Sequence, residues 1–152
     1  MSGVCVISSN NTNSKSSHNI YGVIYLEKQT NNIVHIHGKI HGLKKGNHGF
    51  HIHESGDLTE GCKTLCSHYN PHNKKHGDIS DKERHVGDLG NINANSRGVA
   101  NIDILDKLVK ISGKYSVIGR SIVIHENEDD CGKGDNKESL KTGNAGKRIA
   151  CG

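Results

Sequence analysis

His51, His53, His68, His76, His85 and Asp88 crowd one quarter of the chain with side chains that bind transition metals. His51-Ile52-His53 has the spacing of a β-strand, on which alternate side chains share a face, so both imidazoles would be presented together by one rigid element. Three imidazoles and one carboxylate, drawn from the residues that follow, satisfy a closed tetrahedral zinc site with no position left for water. Imidazole-rich coordination by His51, His53 and a further histidine suits Cu²⁺, which favours nitrogen donors in tetragonal geometry. The bland alternative is a row of solvent-facing histidines, and His35-Ile36-His37 illustrates it. That pair continues into Lys39 and His41 on the same face, where a cation among would-be ligands disfavours metal binding, so His35, His37 and His41 are expected at the surface. Cys62, Cys66 and His68 hint at a zinc knuckle, but no second Cys/His pair is spaced to complete one.

The elements that position these ligands read as strands. With 152 residues the chain suits one domain spanning 1–152. Its 19 glycines, single proline and 3% aromatic content point to short strands and many turns, hence an all-β fold. Strands are expected at Val4 to Ile7, Ile20 to Leu26, Val34 to Ile40, His48 to His53, Arg84 to Val86, Val99 to Ile104, Ile122 to His125 and Arg148 to Cys151. Gly38 interrupts the apolar side of the third, which suggests a bulge or close packing. Ser8 to Ser17 reads as a polar loop. Two longer polar stretches, Glu54 to Glu83 and Asn127 to Lys147, lack periodicity, and loops of that length in a compact domain are usually functional.

The net charge of +4 could suit a polyanion, but the basic residues are dispersed and aromatic platforms are scarce, so nucleic-acid binding is not expected. The first residues hold no basic and apolar signal pattern and no membrane span, which predicts a cytoplasmic protein with no membrane partner. Asn10-Asn11-Thr12 matches a glycosylation sequon that has no consequence in that compartment. There, five cysteines would ordinarily all remain thiols. Cys5 is expected to be buried in the first strand.

Several longer motifs carry a resemblance. They are Gly49-Phe50-His51-Ile52-His53-Glu54, Gly61-Cys62, His68-Tyr69-Asn70-Pro71 and Arg84-His85-Val86-Gly87-Asp88-Leu89-Gly90-Asn91. Further along stand Ile118-Gly119-Arg120, Val123-Ile124-His125-Glu126, Asp129-Asp130, Gly132-Lys133-Gly134 and the run from Lys141 to Gly152. Together these resemble the copper/zinc superoxide dismutases over essentially the whole chain from Val4. The resemblance implies an antiparallel, eight-stranded Greek-key flattened barrel or sandwich with two long functional loops. It implies one copper per subunit on His51, His53, His68 and His125, and one zinc per subunit on His68, His76, His85 and Asp88. His68 would serve both metals, since imidazole has two ring nitrogens. Asp129 would orient His51 and His76 from behind. The implied activity is disproportionation of superoxide to dioxygen and hydrogen peroxide, with copper cycling between redox states and His68 carrying a proton. Arg148 would guide the anion to copper, and Lys141 and Thr142 would lie at the channel mouth.

The same resemblance implies a Cys62–Cys151 disulfide and a homodimer. Cys66 and Cys131 have no counterpart among the family's hallmarks, and Cys66 would either compete for the disulfide or stand as an oxidisable thiol. Prolines near the last cysteine are linked in the family to dependence on a copper chaperone. Lys147 and Ile149 stand there instead, so a chaperone is a possible partner but is not expected to be required. The sequence stops one residue after Cys151, where relatives commonly continue with apolar residues of the dimer interface. The rival functions are a copper carrier or storage domain of the same fold without activity, and a structural zinc domain. Complete ligands with Arg148 favour the enzyme, because a carrier needs neither a substrate guide nor a bridging ligand.

Overall fold

The computed structural model describes residues 1–12 and 19–152. Residues 13–18, which include half of the expected Ser8 to Ser17 loop, lie outside the described residues. Eight strands form: β1 (Ser2–Ser8), β2 (Tyr21–Lys28), β3 (Val34–His41), β4 (Gly46–His53), β5 (Asp88–Ala94), β6 (Ala100–Asp106), β7 (Ser121–His125) and β8 (Arg148–Cys151). They close into an antiparallel barrel in the order β1-β2-β3-β6-β5-β4-β7-β8. The crossovers from β3 to β4 and from β6 to β7 give this order its Greek-key character. The barrel shuts where β8 pairs with β7 and, at Ser8 opposite Cys151, with β1.

Alternation fixes which side chains fill the interior. Val34, Ile36 and Ile40 of β3 point inward to meet Ile24 of β2 and Ile102 of β6, while His35, His37, Lys39 and His41 face out. Phe50 and Ile52 of β4, Leu89 of β5 and Ile124 of β7 complete this core and are closed to solvent. Each such side chain contributes roughly 1.5–3 kcal/mol. The register of β2 against β3 runs unbroken through Ile24 opposite Gly38, so Gly38 marks a close approach and not a bulge. A Cβ there would overlap the Val23 carbonyl oxygen.

One expected strand is displaced. Arg84 to Val86 forms a turn, and β5 starts only at Asp88. The backbone N–H of His85 donates to Asp88 Oδ2 at 2.8 Å, and the buried Arg84 guanidinium donates to the Asp88 carbonyl and to Asp106 Oδ2. These bonds draw the segment away from a ladder before Asp88 enters one. Segment 107–120, of which only Ile118-Gly119-Arg120 stood out in the sequence, connects β6 to β7 and adds Val109, Ile111 and Val117 to the core. Cys5 is half-buried against the core, less enclosed than expected.

Candidate metal centre

Because Phe50 and Ile52 fill the barrel, His51 and His53 must project from its outer face. They are nevertheless only 0% and 2% exposed, since the two long loops cover that face. His125 ends β7 beside them, and its flank is sealed by a small second cluster of Cys62, Leu65, Val123 and Cys151. The first loop returns to β4 through a bridge between His53 and His68, bringing His68 into the group.

Four donors form a compact cage at its inner end. Asp88 Oδ1 lies 3.0 Å from His68 Nδ1, 2.9 Å from His76 Nδ1 and 3.1 Å from His85 Nδ1, and the His68 and His85 nitrogens are 3.3 Å apart. A tetrahedral zinc ion with bonds near 2.0–2.1 Å requires edges of roughly 3.3 Å, so these separations fit the ion. Hydrogen bonding is the poorer account of them, because three imidazoles converge on one oxygen.

Beside this cage, ligand atoms of His51, His53, His68 and His125 all lie within 4.8 Å of one another. His51 Nδ1, His53 Nε2, His68 Nε2 and His125 Nε2 are buried without a hydrogen-bond partner, as is His76 Nδ1. Buried polar atoms are seldom left so, and five together read as ligand positions. The same donor set suits copper, by its softness and its nitrogen content. His68 takes part in both groups, with Nδ1 in the Asp88 cage and Nε2 among the other three imidazoles.

Four of the six imidazoles are held from behind. Asp129 accepts from His51 Nε2 at 2.6 Å on one oxygen and from His76 Nε2 at 2.7 Å on the other. His53 Nδ1 meets the Cys66 carbonyl at 2.9 Å, and His125 Nδ1 meets that of Gly146 at 3.0 Å. Such contacts fix the tautomer and leave the opposite nitrogen free for a metal. Asp129 is itself pinned by Asn91, which accepts from its backbone N–H and donates to its carbonyl.

Electrostatics follow from this burial. The His51 pKa falls to about 3 and that of His125 to about 4, chiefly by desolvation, with the nearby His68 adding to the effect. His53 and His68 are lowered for the same first reason. Burial would also lower His76, but the hydrogen bond to Asp129 and the adjacent Asp88 carboxylate outweigh it and raise its pKa to about 9. Burial would raise Asp88 and Asp129, yet hydrogen bonds from the surrounding histidines hold both below the usual carboxylate range.

Outside these groups runs a cleft lined by His53, His68, His125, Lys141, Thr142 and Arg148. Lys141 and Thr142 close the short helix α1 (Ser139–Thr142), which ends on Gly143 in the left-handed conformation. Arg148 donates to the carbonyls of Cys62 at 2.7 Å and Cys66 at 2.5 Å, fastening the first loop to β8. A disulfide between Cys62 and Cys151 makes the same connection covalently, while Cys5, Cys66 and Cys131 are free thiols.

All the residues singled out for metal chemistry thus meet in one place, with Asp129 behind them and Arg148, Lys141 and Thr142 around the opening. Sequence reasoning missed the supports: Asn91 behind Asp129, Asp106 beneath Arg84, and His48, whose two nitrogens meet the carbonyls of His125 and Lys44. It also missed Gly143, where a Cβ would overlap the Asp129 carboxylate and crowd His76 Nε2. Glycine in a turn gives no signal of that contact until the fold is known.

A closed Greek-key barrel bearing two ligand cages joined by one imidazole defines an all-β protein built for a dinuclear metal centre. The chain belongs to the copper/zinc superoxide dismutase family, whose model matches residues 20–152. It is 50% identical over 149 residues to superoxide dismutase [Cu-Zn] A of Xenopus laevis, covering 98% of this chain and 93% of that protein. It is 56% identical over 137 residues to the extracellular superoxide dismutase [Cu-Zn] of Brugia pahangi, covering 88% and 68%. The crystal structure of the clock protein EA4 superposes with a TM-score of 0.90 at 42% identity, covering 99% of this chain and 91% of the other.

Proposed function

We propose that the chain disproportionates superoxide, converting two superoxide anions and two protons to dioxygen and hydrogen peroxide. His51, His53, His68 and His125 would hold copper, and His68, His76, His85 and Asp88 zinc. The observation that carries this reading is His68, whose Nδ1 sits in the Asp88 cage while Nε2 is buried and unpartnered among the other imidazoles. Copper there supplies one-electron redox chemistry, and zinc, which has none, supplies fixed positive charge. Arg148 and Lys141 draw a small anion into the cleft. Nε2 of His68 would hold a proton whenever it is not bound to copper, and it is then the atom placed to pass that proton to the reduced oxygen. Asp129 and the Cys66 and Gly146 carbonyls keep the imidazoles oriented through turnover.

Metal analysis combined with a superoxide assay tests the reading. Fully loaded protein should disproportionate superoxide far faster than an equally loaded His125→Ala variant. Equal rates would leave a copper carrier or storage domain as the better account.

A homodimer and a cytoplasmic location belong to the same proposal. The groove bordered by Gly3, Cys5, Ile111, Ile118 and Gly152 is apolar, with Ile118 54% exposed, and a second copy is its proposed occupant. Sedimentation should give a dimer that Ile118→Asp dissociates; a wild-type monomer would overturn the assignment. Three free thiols favour a reducing compartment, in which the Cys62–Cys151 bond would be the exception. Fractionation should recover the protein with cytosolic markers, and recovery in the secreted fraction would refute that location.

A further inference from the structure

We propose that Glu27, His35 and His37 form a separate surface site for a divalent transition ion of the zinc or copper class. In the ring of strands β3 stands opposite β7, so this site lies across the barrel from the buried centre.

Barrel geometry assembles the ligands. His35 and His37 project outward from β3 two residues apart, and Glu27 of β2 is the register partner of His35. Their imidazoles lie face to face, with centroids 4.5 Å apart and planes inclined by 29°. Tyr25, the register partner of His37, stacks on its ring at 5.5 Å and limits its rotation. One ligand atom from each of Glu27, His35 and His37 falls within 4.8 Å of the others. That spread exceeds the roughly 3.3 Å edges of a tetrahedral zinc site. Glu27 can close the difference, since its side chain is 47% exposed and free to turn toward the ring pair.

A second observation points to a ligand. His37 Nε2 is shut off from solvent and has no hydrogen-bond partner. Glu27 Oε2 lies 3.2 Å away, near enough for attraction but outside hydrogen-bond geometry. A metal between them would satisfy both atoms. Asp103 of β6 contacts His35 Nε2 at 2.6 Å, which leaves Nδ1 for coordination and supplies the carboxylate backing that metal-bound histidines commonly have.

Lys39, the next outward residue of β3, was the sequence-based argument against metal here. Glu27 and Asp103, contributed by the two neighbouring strands, outnumber that one cation, and pattern within β3 alone could not reveal them. Three protein ligands leave the remaining coordination to water, so the ion should exchange readily.

Titrating Zn²⁺, and separately Cu²⁺, into protein already loaded with both metals tests the site by calorimetry and by metal analysis after dialysis. One further ion per chain is expected. Its affinity should fall about tenfold or more in His37→Gln, in the His35→Gln/His37→Gln pair and in Glu27→Gln, and less in Asp103→Asn. His41→Gln should bind as the wild type does. All five variants should keep the dismutation rate and melting temperature of the parent, because none touches the buried centre. Absence of a further ion in the wild type overturns the proposal, as does a further ion held equally well by the double variant.

Discussion

Asp129 Oδ2 lies 2.6 Å from His51 Nε2, and neither side chain is exposed to solvent. The other Asp129 oxygen holds His76, so one carboxylate ties an imidazole of the copper group to one of the zinc group. An amide in its place could accept from one ring but would turn its own N–H₂ toward the other. Asp129→Asn should therefore weaken retention of both metals by about 10–100-fold, as read by titration against a competing chelator. Unchanged affinity for both would show that Asp129 does not orient them.

Arg148 has two tasks, since its guanidinium borders the cleft while donating to the Cys62 and Cys66 carbonyls. Arg148→Gln should lower kcat/KM about tenfold and flatten its dependence on ionic strength. Arg148→Lys keeps the charge but not the fork that spans two carbonyls. Its salt dependence should survive while the 54–87 loop loosens, visible as faster amide exchange. Equal loss of salt dependence in both variants would mean that the arginine acts only through the loop.

The Cys62–Cys151 bond joins residues 89 apart in sequence. In the chain-entropy model, closing a loop of that length contributes about 4–5 kcal/mol. Cys62→Ser should lower the melting temperature by roughly 10 °C or more. It should also free the loop that presents His68. Because Cys66 is exposed and nearby in sequence, Cys62→Ser/Cys66→Ser is the variant that excludes a substitute bond. An unchanged melting temperature in that double variant would refute a stabilising role.

Much of this centre was legible in the sequence because its ligands obey strand periodicity. His51 and His53 share a face by alternation alone, and Phe50 and Ile52 declare the opposite face to be core. The beginning of β5 was not legible, because Arg84-His85-Val86 looks β-forming in isolation while its path is set by bonds to Asp88 and to Asp106 on another strand. The role of Asp129 and the disulfide pairing came through resemblance, since spacing offers no route to partners so far apart. Gly143 and Asn91 were silent for a related reason: their work is done against Asp129 in space, with nothing in their neighbours to announce it.

Lys147 and Ile149 flank Arg148, next to the strand end that holds Cys151. Neither imposes the backbone restriction of proline. Production in a host without a copper chaperone should then give protein with the disulfide formed and copper bound, measured by thiol counting and metal analysis. Reduced, copper-poor protein from that host would count against unaided maturation.

Stripping the metals exposes a pH dependence whose sign the buried groups set. His51 and His125 titrate at about 3 and about 4 when folded, against an ordinary 6.5, so below pH 6.5 the unfolded chain binds protons that the folded chain resists. His53 and His68 are shifted in the same direction. Asp88 and Asp129, lowered in the fold, contribute stability that is present above the ordinary carboxylate value near 4 and is lost as the pH falls further. His76 runs the other way: raised to about 9, it stabilises fully below 6.5, and its contribution fades as the pH climbs through 9. Four lowered histidines oppose one raised, so the melting temperature of chelator-treated protein should drop steadily from pH 7 to pH 4. Above pH 6.5 the His76 contribution should fall away, levelling off near pH 9 once His76 has lost its proton. A metal-free melting temperature that is flat or rises between pH 7 and pH 4 would show that these imidazoles are not buried in the folded apoprotein.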